Sequence, residues 1–235
     1  MKVNDELYVL ELPLPVGDDV WIMNLSLIAD ADHGLTLVDT GLNGQEDLIE
    51  KAIVAEGLSL GDVKQIVLTH QDADHIGSLA ALKEKTGATV YAYVDEIPYI
   101  EGKLRSAKYP SPERLAANPG LAEMLGGLKR TTVDRAIADG ETLPFAAGAV
   151  AIATPGHTEG HMSLYLPNTK TLIVGDAMVS NSGILDGPME MATPNMAQAL
   201  ESIKKFLNYD VETVLCYHGG LVTDDANGQL KRVAG

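Results

Sequence analysis

Two histidines and two aspartates fall within six residues in Thr69-His70-Gln71-Asp72-Ala73-Asp74-His75. Imidazole nitrogens and carboxylate oxygens at that density suit a divalent cation, provided a rigid backbone makes them converge. An aspartate ahead of a helix is as readily a cap, so the stretch alone does not decide the matter. Groups of the same kind recur along the chain. His157 and His161 stand in Pro155-Gly156-His157-Thr158-Glu159-Gly160-His161, Asp176 follows Gly175, and His218 lies in Tyr217-His218-Gly219-Gly220. Five of the six histidines, all but His33, sit in these stretches. Singly, a buried His157, a capping Asp176 or a His218 in a turn is ordinary structure. Together, and with Asp72 and Asp74, they supply donors enough for two ions.

Such donors need rigid elements to hold them, and the polar stretches follow runs that read as strands. Apolar and β-branched residues over 20–27 and 35–39 flank Asp30-Ala31-Asp32-His33-Gly34, which has hairpin-loop chemistry and leaves His33 exposed at the tip. The second of these strands ends in Val38-Asp39-Thr40-Gly41. Leu48, Ile49, Ala52, Ile53 and Ala55 predict a helix over 45–56, stopped by Gly57. A strand over 63–68, a helix over 76–85 closed by Gly87 and a strand over 89–94 continue an alternating α/β order. Strands follow at 134–137, 149–154, 163–166 and 171–174, then a helix at 196–207 and a strand at 211–215. Gly57-Leu58-Ser59-Leu60-Gly61 matches the G-x-S-x-G nucleophile pattern, but here a helix precedes and a strand follows. That order is the reverse of the turn that exposes the hydroxyl, so Ser59 is not expected to act. Residues 96–130 break the rhythm: Pro98, Pro110, Pro112 and Pro119 punctuate short helical pieces. They are expected to form an insertion that either packs on the core or covers the site as a lid.

Composition narrows the function. At 235 residues the chain suits one domain with a sizeable core. A net charge of −16 argues against binding nucleic-acid phosphates, which calls for clustered Lys and Arg. The first fourteen residues carry Asp5, Glu6 and Glu11 and lack the pattern of a signal peptide, and no apolar run approaches the about 20 residues of a membrane span. The single cysteine, Cys216, cannot form an intramolecular disulfide and is read as a small buried apolar residue. The expectation is a cytoplasmic protein acting on a small molecule, with no nucleic-acid or membrane partner, for which a homodimer is admissible.

Taken in order, Val38-Asp39-Thr40-Gly41, residues 69–75, residues 155–161, Gly175-Asp176 and His218-Gly219 resemble the five signatures of the metallo-β-lactamase superfamily, across residues 20–220. The resemblance implies an α/β fold: one domain over 1–235, an αββα sandwich of two mixed β-sheets flanked by helices, with a dinuclear site at one edge. By position, His70, Asp72 and His157 would ligate one metal, Asp74, His75 and His218 the other, and Asp176 both. Asp39 would orient ligands, and His161 would be structural. The departure is Asp72, where the common H-x-H-x-D-H pattern has histidine. With Asp72 as a direct ligand, three carboxylates and one hydroxide balance two divalent ions, a harder donor set that admits iron or manganese beside zinc.

The function so implied is hydrolysis by a dinuclear centre and its bridging hydroxide, with Asp74 as the catalytic residue that handles protons. The form of residues 155–164 is similar to that of lactonases and of thioester hydrolases such as glyoxalase II, which points to a small ester, lactone or thioester. Two other readings stand beside it. Flavodiiron proteins resemble the pattern with a carboxylate at the place of Asp72, though this chain has no flavin domain. A metal-binding sensor without turnover is the other.

Overall fold

The computed structural model describes residues 1–17, 19–106 and 108–235. Met124, an apolar residue of the 96–130 excursion, and its neighbour Glu123 have side chains outside the described set. The first half of the chain runs β1 (Leu7–Val16), β2 (Asp19–Asp30), β3 (Gly34–Val38), α1 (Glu46–Ala55), β4 (Val63–Leu68), α2 (Ala73–Ile76), α3 (Leu79–Thr86), β5 (Thr89–Tyr93), α4 (Ile97–Ile100), α5 (Pro112–Ala117), α6 (Pro119–Gly126) and β6 (Arg135–Ile137). The second half runs β7 (Val150–Ala153), β8 (Met162–Leu166), β9 (Thr171–Gly175), β10 (Val179–Asn181), β11 (Ile184–Asp186), α7 (Met196–Ile203), β12 (Thr213–Cys216), β13 (Gly220–Val222) and α8 (Ala226–Ala234).

Strand side chains alternate between faces, and here both faces are apolar. In β1, Leu10 and Leu12 join a core with Ile49 and Ile53 of α1 and Leu79 and Leu82 of α3, while Leu7 and Val9 point into a second core. Ile66 and Leu68 of β4 face the helices in the same way, and Val67 between them faces inward. That inner core is shared with Leu164, Leu166, Ile173 and Leu215 of the other sheet. The outer face of the second sheet, with Leu172, Val174 and Val214, packs on Ile203 of α7 and Leu230 of α8. Helices, sheet, sheet and helices therefore stack as four layers, as the sequence motifs imply.

Both sheets are mixed. The first has the order β1-β2-β3-β4-β5-β6, antiparallel through β3 and parallel from β3 to β6. The second has the order β13-β12-β9-β8-β7, with β12 and β9 parallel and the other pairs antiparallel.

Three local features differ from the sequence expectations. The edge strand β1 carries Pro13 and Pro15, which obscure it in sequence but are tolerated where one side of the strand needs no ladder. The helix expected over 76–85 is broken into α2 and α3 at Gly77-Ser78, because the Gly77 backbone passes against residues 41–43. A Cβ there would lie 2.2 Å from the Asn43 amide nitrogen. The helix expected over 196–207 is α7 to Ile203 and then a tighter 3₁₀ stretch to Asn208. No helix among the described residues is long and apolar enough to cross a membrane.

Candidate metal centre

The loops at one edge of the two sheets bring the donors together. β4 ends at Leu68 and delivers His70 and Asp72. The short α2 then turns Asp74 and His75 back toward them. The 155–161 loop between β7 and β8 brings His157, the end of β9 brings Asp176, and the β12–β13 turn brings His218. His218 is held where the two sheets meet: the Asn24 amide of β2 donates to Tyr217 O at 2.9 Å, and Met23 bridges to His218. Glycines make the close approaches. Gly156 has φ +136° and a Cβ would sit 2.4 Å from the Ala199 amide nitrogen; Gly219 has φ +102° and would meet Ser180 O at 1.9 Å.

Two sets of donors result. In one, Asp72 Oδ2 lies 3.5 Å from His70 Nε2 and 3.1 Å from His157 Nε2. In the other, Asp74 Oδ2 lies 3.8 Å from His75 Nε2 and 3.4 Å from His218 Nε2. Asp176 stands between them and divides its oxygens. Oδ2 is 3.2 Å from His157 Nε2 and 3.9 Å from His70 Nε2, while Oδ1 is 3.5 Å from His75 Nε2 and 3.7 Å from His218 Nε2. His70 and His75 are completely buried, yet their Nε2 atoms and Asp176 Oδ1 have no hydrogen-bond partner. Buried polar atoms are seldom left so, and their convergence fits divalent cations as the missing partners. All seven residues singled out in the sequence are thus in one place.

The other ring nitrogens fix the tautomers. His75 Nδ1 donates to Asp39 Oδ2 at 2.9 Å, and Asp39 also accepts from the Thr69 amide and hydroxyl, each at 2.8 Å. Since the Thr69 hydroxyl gives its proton to Asp39, it accepts from His70 Nδ1 at 3.0 Å. Asp39 therefore aims Nε2 of both His70 and His75 at the centre, His70 through Thr69. His161 Nε2 accepts from the Asp176 amide at 3.0 Å and its Nδ1 donates to the Thr154 hydroxyl at 2.8 Å, so it shapes the turn that carries Asp176. Burial pushes His70 down to about 4, which keeps it a neutral donor. Burial alone would raise the Asp72 carboxyl, but His157, His70 and Lys108 hold it well below the usual range.

Several participants had no signal in the sequence. Lys108, from the 96–130 excursion, puts Nζ on Asp72 Oδ2 and 2.8 Å from His157 Nε2. Tyr217 lays its ring on His75, centroids 3.8 Å apart, and donates its hydroxyl to Asp74 O at 2.5 Å. Glu96 at the start of the excursion accepts from the Thr158 hydroxyl at 2.5 Å and the Gly160 amide at 2.8 Å, and so braces the loop of His157. Cys216 is buried, its thiol held well above the usual range by that burial. Ser59 accepts from the Gly61 amide as a local cap, away from the centre.

Comparison with known proteins identifies the family. The family model described as the metallo-beta-lactamase superfamily matches residues 19–218. A protein of Bacillus subtilis (strain 168) named "Probable metallo-hydrolase YflN" is 33% identical over 207 residues, 80% of this chain and 76% of that protein. A hydroxyacylglutathione hydrolase of Brucella anthropi is 29% identical over 196 residues, 79% of this chain and 61% of that protein. Among solved structures, the metallo-beta-lactamase family protein TTHA1429 of Thermus thermophilus aligns with a TM-score of 0.72 at 23% identity, over 99% of this chain and 79% of that one, a likeness of fold.

Proposed function

The chain belongs to the metallo-beta-lactamase superfamily of metal-dependent hydrolases, and on that premise we propose that it cleaves a small ester, lactone or thioester at a centre of two divalent ions. The observation that carries the reading is the division of Asp176: one oxygen faces each donor set, and the buried Nε2 atoms of His70 and His75 lack partners between them. His70, Asp72 and His157 would hold one ion, Asp74, His75 and His218 the other, and Asp176 both. When bound, the ions supply an acidified water and an electrophile for the acyl oxygen. Asp74, a quarter exposed at the cavity, would take the proton of the attacking water and return it to the leaving oxygen or sulfur as the acyl bond breaks. Asp39 and Thr69 keep His75 and His70 in the tautomer that leaves Nε2 free. Three carboxylates in the donor set favour harder ions, so iron or manganese competes with zinc. The hydroxyacylglutathione hydrolase relative, a thioester enzyme by its name, supports the acyl reading. The excursion over 96–130, whose Lys108 reaches Asp72, would be the lid of this site.

The test is a panel of esters, lactones and thioesters on protein reconstituted with zinc, manganese or iron. Turnover abolished by chelation, restored by one of the metals and lost in Asp176→Ala is the expected result. Metal-loaded protein with no turnover on any acyl substrate would overturn the reading.

A further inference from the structure

The 96–130 excursion reverses the charge of the molecule. It holds six of the 17 basic residues but only four of the 33 acidic ones. Three of the five arginines, Arg105, Arg114 and Arg130, line a single cavity of about 440 Å³ together with Asp72 and Asp74. No described carboxylate forms an ion pair with any of the three. Arg105 lies over the Tyr109 ring, 4.7 Å from its centroid, and Arg130 donates to Tyr99 O and Ile100 O at 3.0 and 3.2 Å. Arg114 also lines the adjoining cavity that holds His157, Asp176 and His218, so it stands on the wall common to both. Between the arginines the lining is apolar, with Leu121, Leu125 and Leu128.

Guanidinium groups left without carboxylates in so acidic a chain are a feature to explain. Each would gain a planar, bidentate partner from a carboxylate or a phosphate. Lys108 does not take this part, because its ammonium is already engaged by Asp72. We propose that the cavity receives an anionic group at the far end of the substrate, with Arg105, Arg114 and Arg130 supplying the charge and the three leucines an apolar bed for the chain between anion and acyl carbon. The proposal deepens the hydrolase reading and rests on it for the acyl end alone. It accounts for both kinds of lining: charge at one end selects the substrate, and the donor centre at the other end cleaves it.

The experiment compares p-nitrophenyl hexanoate, the mono-p-nitrophenyl ester of adipic acid and the matching ω-phosphonate ester on metal-loaded wild type, Arg114→Gln, Arg105→Gln and, as a control outside the cavity, Arg135→Gln. Binding of adipate and of hexanoate is measured by calorimetry on the same proteins. The anionic esters are expected to exceed the neutral one at least tenfold in kcat/KM, mainly through KM, and Arg114→Gln is expected to cut that ratio about tenfold, as loss of one charge-assisted contact does. Arg135→Gln should leave it intact. Whether carboxylate or phosphonate gains more identifies the anion. Equal rates on charged and neutral esters, or a preference that survives both cavity variants, would overturn the proposal. If none of these esters is cleaved, the acyl panel above decides the hydrolase reading, and the binding arm decides this one: adipate weakened about tenfold by Arg114→Gln upholds the anion site, and unchanged binding removes it.

Discussion

Two residues outside the donor set act on it from the 96–130 excursion. Lys108 Nζ engages both Asp72 Oδ2 and His157 Nε2, so a cation held by those atoms has to displace an ammonium. Lys108→Met should therefore tighten metal binding at the Asp72 side by roughly tenfold, the equivalent of one charged hydrogen bond. Titration against a competing chelator measures it, and an affinity unchanged from wild type would count against the idea. Glu96 is completely buried with Oε2 unpartnered, and burial, resisted by its bonds from Thr158 and Gly160, raises its pKa to about 7. In the unfolded chain the same carboxyl titrates near 4.5. The native state thus binds the proton more tightly between those values, and its contribution is full below pH 4.5, falls as pH rises to 7 and is flat beyond. Glu96→Gln should remove the slope, so its advantage over wild type grows across that window to on the order of 3 kcal/mol. Denaturant unfolding of chelated protein at about pH 4.5 and about pH 8 tests the sign, and a difference between variants that stays constant with pH would refute it.

At the scale of elements, the break between α2 and α3 does structural and chemical work at once. It ends the short α2 that carries His75 and lets the Gly77 amide donate to Gly41 O at 2.8 Å. A methyl at Gly77 would meet the backbone of Leu42 and Asn43 within 2.3 Å, and neither can yield as a flexible side chain would. Gly77→Ala should cost about 2 kcal/mol or more, read as a lower midpoint of thermal unfolding, and should weaken metal binding as well. A variant as stable as wild type would mean that the 41–43 turn is softer than its contacts indicate. The excursion over 96–130 shows how far element reading from sequence reaches. Pro98, Pro112 and Pro119 do sit in the first turns of short helices, as such prolines can. Which face those helices present to the site depends on where the segment docks, and no periodicity encodes that.

For the whole molecule, electrostatics and stability are linked through the centre. Asp72, Asp74 and Asp176 crowd three carboxylates together in a chain that already carries −16. Cations that bind only the folded state stabilise it by mass action, by about 2.7 kcal/mol per site at a hundredfold excess over Kd. Chelation should accordingly lower the melting midpoint by roughly 5 to 10 °C for each site emptied in a domain of this size, and readdition of metal should restore it. A midpoint indifferent to chelation would argue that the centre is braced by protein contacts alone.

Through the resemblance that its motifs carry, the sequence by itself determined the layers and the donors. The end of β4, Ile66-Val67-Leu68, is apolar at both parities, as a strand buried on both faces is, and the histidines and aspartates stand where such strands end. It did not reveal β1, whose prolines mask an edge strand, nor Lys108, Glu96, Thr69 or Tyr217 as parts of the site. Tyr217 lies 143 positions from the Asp74 carbonyl it meets, and Lys108 lies 36 and 49 from its two partners. Contacts at such separations depend on how the two sheets stack and where the excursion lands. The tertiary structure alone decided that Asp176 turns one oxygen to each donor set and that three arginines share one cavity. Those are angles and distances between elements, whereas a sequence pattern specifies only the faces within each one.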